Sequence, residues 1–119
     1  MRPYKPYIPQ TPGEVWDLLG SMVLGAPRFV DNSGYFPDRN IDTEFEALTG
    51  GFEAIGKRLG EARYGKLMEL AQQAKALFAE TAEDDLDRIR AGCGLLFEME
   101  DILNEVRQRK APATQARPA

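Results

Sequence analysis

Hydrophobic residues recur along this chain at intervals of three and four, the spacing that gathers side chains on one face of a helix. Val15, Leu18, Leu19, Met22 and Val23 form the first such stripe. Thr11 is placed to cap it, and Pro12 suits the first helical position, where its missing N–H costs nothing. Glu14, three residues after the cap, completes a capping-box pattern. Gly25-Ala26-Pro27 ends this helix. Ile41, Phe45, Leu48, Phe52, Ile55 and Leu59 then follow at 4, 3, 4, 3, 4. This heptad-like seam predicts a second helix from near Asn40, with Asp42 and Glu44 at its positive end and Gly60 stopping it in a left-handed cap. Gly50-Gly51 interrupts the seam at about 1 kcal/mol per glycine relative to alanine, which suits either close helix contact or a kink.

A third helix is predicted from about Glu61 to Glu80, with Tyr64, Leu67, Met68, Ala71, Ala74 and Phe78 along one side. Thr81-Ala82-Glu83-Asp84 reads as the cap of a fourth, in which Leu86, Ile89, Cys93, Leu96, Met99, Leu103 and Val106 recur down to about Arg109. Four amphipathic helices bury their faces best against one another. The expectation is therefore an all-α, four-helix bundle-like single domain over residues 11–109. A proline-rich extended arm (1–10, with three prolines) precedes it and a disordered tail (110–119) follows. Between the first two helices, Asp31-Asn32-Ser33-Gly34 signals a turn. Tyr35 and Phe36 are positioned to anchor a long connection that leaves loop and hairpin both open. Trp16 lies off the first stripe, where it could cover the arm.

At 119 residues the chain fits one domain, and 43% hydrophobic with 29% charged residues is a globular balance. The net charge of −4 argues against nucleic acid, whose binders neutralise phosphates, and favours a basic protein partner. No apolar run has the length of a signal peptide or a membrane span, so a cytoplasmic location and no membrane contact are expected. Cys93 is the single cysteine, within an apolar run, and reads as a small core residue.

Candidate chemistry is sparse. There is no histidine, and Ser21 and Ser33, the two serines, lie outside any nucleophile-elbow pattern. Phosphate-binding glycine loops, paired cysteines and dinucleotide fingerprints are missing too, so no catalytic residue and no cofactor are expected. What remains is carboxylate. Asp42, Glu44 and Glu46 crowd the start of the second helix, and Asp87, Glu98, Asp101 and Glu105 run down the fourth. If these faces adjoin, they form one negative patch able to steer a basic partner. On the bland reading they only solubilise the surface.

Glu80, Glu83, Glu98 and Asp101 form an E-x-x-E … E-x-x-D pattern that resembles the Mg²⁺-binding helices of MazG-type nucleotide pyrophosphohydrolases. That resemblance implies paired carboxylates holding Mg²⁺ against a triphosphate, although Glu80 and Glu83 fall at a predicted helix break. The segments Asp31–Phe45, Lys57–Tyr64 and Phe97–Leu103 resemble small helical immunity partners of bacterial polymorphic or contact-dependent toxins. This second resemblance implies a stoichiometric inhibitor that occludes a basic toxin domain, with no catalytic residues of its own. On that reading Tyr35, Asp38, Asp42, Glu44 and Glu46 make the contacts. A third reading is a structural subunit that forms a homodimer through the seam of the second helix.

Overall fold

The computed structural model describes residues 6–27, 29, 39–82 and 84–110, with side chains up to Val106. These residues form four long helices and one single-turn helix, with no strand among them. The helices are α1 (Pro12–Gly25), α2 (Ile41–Ala54), α3 (Gly56–Leu59), α4 (Glu61–Ala79) and α5 (Leu86–Lys110). The long helices close a ring in which α1 packs on α2 and α5, and α4 packs on α2 and α5. Consecutive long helices run in opposite directions. Asp42, at the start of α2, meets Lys75 near the end of α4, while Arg63, at the start of α4, meets Glu105 near the end of α5.

The predicted stripes supply the core. Val15, Leu19 and Met22 from α1, Phe45, Leu48 and Phe52 from α2, Leu67, Ala71 and Ala74 from α4, and Leu96, Met99 and Leu103 from α5 are all buried. Burial of a large apolar side chain is worth about 1.5–3 kcal/mol, so these stripes outweigh the local propensities. The seam of α2 continues through Ile55 and Leu59, both 2% exposed. These side chains are buried within the chain.

The α2 cap is a reciprocal box. Asn40 Oδ1 accepts from the Thr43 N–H at 3.0 Å and Thr43 Oγ1 accepts from the Asn40 N–H at 2.9 Å. At α1, Thr11 caps as predicted, accepting from the Glu14 N–H at 3.1 Å. Glu14 reaches one residue further back than a capping box requires. It accepts from the Gln10 N–H and the Tyr7 hydroxyl, both at 2.8 Å, and so ties the proline-rich segment to the helix. Gly50 and Gly51 mark close contact rather than a kink. A Cβ on Gly51 would stand 3.0 Å from Val15 Cγ2 and 3.3 Å from Pro9 Cβ, and one on Gly50 would stand 3.1 Å from Ile8.

Three boundaries differ from expectation. The second helix is divided at Ile55, with φ −105° and ψ 15°, and restarts as α3. Gly60 ends α3, but at φ 83° and ψ 160°, an extended conformation of positive φ reserved for glycine rather than a left-handed cap. Thr81 does not cap α5. Its hydroxyl donates back to the Leu77 carbonyl at 2.6 Å, and Asp85 takes the capping role by accepting from the Arg88 N–H at 3.2 Å. The tail from residue 111 lies outside the described residues.

Candidate functional site

A groove of about 680 Å³ opens between the proline-rich segment, α1 and α2. Pro6, Pro9, Leu18 and Ala47 give it apolar walls, and Tyr7, Glu14, Asp17, Ser21, Arg39 and Glu44 supply the polar groups. Each element delivers its residues for a local reason. The prolines hold the segment extended, and the Tyr7–Glu14–Gln10 hydrogen bonds fasten it alongside α1. Glu14, Asp17, Leu18 and Ser21 recur at three and four, so α1 presents them on one side while Val15, Leu19 and Met22 enter the core.

Glu44 is the unusual residue of the groove. It lies three after Ile41 and four before Leu48, on the apolar side of α2, and is 5% exposed. The Arg39 Nε approaches its Oε2 to 3.4 Å from just before the helix. Burial pushes the Glu44 carboxyl above its ordinary value, and the charge of Arg39 partly opposes that. At the rim, the hydrogen bonds from the Gln10 N–H and the Tyr7 hydroxyl lower the Glu14 carboxyl, and the same contact raises the Tyr7 phenol. Three carboxylates share the groove with one guanidinium, so its charge balance is negative. An apolar slot lined by carboxylates suits the aliphatic stem and cationic head of a lysine or arginine side chain.

Of the predicted contact residues, the described ones, Asp42, Glu44 and Glu46, do not share one face. Asp42 and Glu46 are exposed on the other side of α2, beside Thr49, Gln72 and Lys75 in a depression of about 360 Å³ between α2 and α4. Asp42 pairs there with Lys75 at 3.2 Å. Glu44 alone enters the groove, while Tyr35 and Asp38 lie outside the described residues. The single negative patch does not form, because α2 and α5 sit diagonally across the ring. Between them α4 turns Lys75 toward Asp42 and Arg63 toward Glu105, the latter at 3.2 Å.

The MazG-like carboxylates are separated as well. Glu80 ends α4 beside the start of α5, whereas Glu98 and Asp101 lie twelve and fifteen residues into α5, exposed and about 18–22 Å along its axis. Glu83 is outside the described residues. No group of three or more Asp, Glu, Cys or His side chains converges among the described residues. Cys93 is half-buried, with its Sγ 4.0 Å from the Val23 carbonyl, and burial raises its thiol. No helix of the described residues is long and apolar enough to cross a membrane.

Arg39, Asp17 and Ala47 are among the groove residues that periodicity did not single out, whereas Leu18, read as part of the first core stripe, is half-buried and lines the groove. The one signal in the sequence was Glu44, a carboxylate at core spacing. Comparison of the chain with protein-family models, with curated proteins and with solved structures finds no match.

Proposed function

We propose that this chain is a non-enzymatic protein-binding module that uses the groove of α1, α2 and the proline-rich segment to receive a basic side chain of a protein partner. The observation that carries this reading is the groove itself, with apolar walls, Glu14 and Asp17 at its rim and the buried Glu44, paired with the half-exposed Arg39, within it. A lysine or arginine laid in this slot gains an ion pair in a partly desolvated setting, where charge counts for more than on open surface. Acidic steering speeds encounter, and the apolar walls slow release. The resemblance to immunity proteins makes the partner a basic toxin domain, which a bundle-like helical body would inhibit stoichiometrically by occlusion.

The test is a pull-down from the native source at low and high salt, with the product of the adjacent upstream gene as the first purified probe. A Glu14→Gln/Asp17→Asn double variant is compared with a Glu53→Gln/Glu98→Gln control that removes the same charge elsewhere. The expected result is a basic protein retained at low salt by wild type and control and lost from the groove variant. Equal retention by both double variants would remove the groove from the interface.

A further inference from the structure

α5 packs against α4 and α1 through one side and leaves the opposite side uncovered by any other described element. Along that outer side lie Asp87, Arg90, Gly94, Phe97, Asp101 and Asn104, spaced 3, 4, 3, 4, 3. All but the half-buried Asn104 are exposed, and Phe97 keeps 49% of its surface, unusual for a phenylalanine in a folded chain. Spacing that alternates three and four is that of a helix–helix seam.

The two halves of this seam are complementary in chemistry. About its midpoint between Leu95 and Leu96, Arg90 is the mirror position of Asp101, Gly94 of Phe97, and Asp87 of Asn104. Within one chain Arg90 and Asp101 are eleven residues apart, about 16 Å along the helix, too far to pair. Neither forms an ion pair with another described residue. A Cβ on Gly94 would meet nothing within 4 Å, so this position offers an open flat spot on the helix.

We infer that a second copy of this chain covers the face, with the two α5 helices antiparallel about a two-fold axis between Leu95 and Leu96. Arg90 of each copy then meets Asp101 of the other, Phe97 lies over the other copy's Gly94, and the Asn104 amide donates to the other copy's Asp87. The interface is isologous, so each favourable contact occurs twice. It extends over about 25 Å of helix with two aromatic anchors, which places it among small, concentration-dependent interfaces rather than obligate ones. It lies apart from the groove between α1 and α2, so the inference does not depend on the proposed function.

Sedimentation equilibrium over a concentration series tests it by charge swap. Wild type is expected to reach a monomer–dimer equilibrium that weakens with salt. Arg90→Asp and Asp101→Arg are each expected to raise the dimer dissociation constant at least about tenfold, since each sets like charges opposite one another twice. The double variant carrying both changes restores opposite charges, and its dissociation constant is expected to return toward that of wild type. An equimolar mixture of the two single variants is expected to form heterodimers. Both positions are exposed, and circular dichroism checks that the variants remain folded. A wild-type chain that stays monomeric up to about millimolar concentration would overturn the inference and leave the face to a different partner. Single variants that dimerise as well as wild type would overturn it too, by moving the contact to another surface.

Discussion

Gly92 and Gly65 both lie inside long helices, where alanine is intrinsically better by about 1 kcal/mol, yet they predict opposite mutational outcomes. A Cβ at Gly65 would meet nothing, so Gly65→Ala should stabilise the chain by about 0.5–1 kcal/mol. A Cβ at Gly92 would overlap the ring of Phe78, which is buried and held edge-to-face by Phe29 with ring centroids 5.2 Å apart. Phe29 is itself fixed at φ 59°, a strained conformation for a non-glycine residue, so the cluster has little room to move. Gly92→Ala should therefore destabilise by about 1–3 kcal/mol despite its helical gain, as denaturant unfolding of the two variants would show. Glu44 gives a second residue-scale prediction. Its folded-state carboxyl titrates above the ordinary range because burial outweighs Arg39. A raised folded pKa means that Glu44 adds stability below about pH 4 and loses that contribution as pH rises through the elevated value. The stability of wild type relative to Glu44→Gln should accordingly fall as pH rises from about 4 through that elevated value. A relative stability that rises with pH would mean that the Arg39 pairing dominates.

At the scale of elements, most of the fold was legible because it depends on period. The four stripes and the stops at Gly25 and Gly60 follow from where apolar side chains and glycines fall. The failures lie where several residues compete for one local task. Thr81, Asp84 and Asp85 are all chemically able to cap α5. Thr81 is nine-tenths buried and its hydroxyl is used by the Leu77 carbonyl, so tertiary burial assigns the cap to Asp85. Sequence spacing carries no record of that burial. Asp85→Ala should cost about 1 kcal/mol, the usual loss for an N-cap, whereas Asp84→Ala should stay within about 0.5 kcal/mol. Thermal unfolding of the two variants side by side distinguishes them. The division of α2 at Ile55 was hidden for a related reason, since Ile55 and Leu59 stay in the core on both sides of the break and the period runs through it unchanged.

At the scale of the molecule, the groove is assembled from residues 6–9, 14–21 and 39–47, three segments whose juxtaposition depends on how α1 pairs with α2. Helical period says which side of each helix is buried but not which helices become neighbours. For that reason the sequence offered Glu44 as one of the acids crowding the start of the second helix, while its buried position, its groove and its Arg39 partner were not legible. The same gap explains the acidic faces, which a diagonal placement of α2 and α5 keeps apart. That placement also sets the groove and the outer face of α5 on different sides of the ring, so the two proposed contacts should be energetically independent. Coupling between sites is reciprocal, and a contact that changes neither the groove nor its flanking helices has no free energy to transmit. Arg90→Asp should therefore bind a basic partner, recovered through the groove, with a dissociation constant within about twofold of wild type by solution calorimetry. On a surface densely coated with that partner, the dimer engages two copies at once, and wild type should dissociate more slowly than Arg90→Asp as dimer concentration rises. Loss of solution affinity in Arg90→Asp would instead make the two faces one coupled site. Retained affinity without slower surface release in the wild type would mean that the paired grooves cannot engage two immobilised partners together.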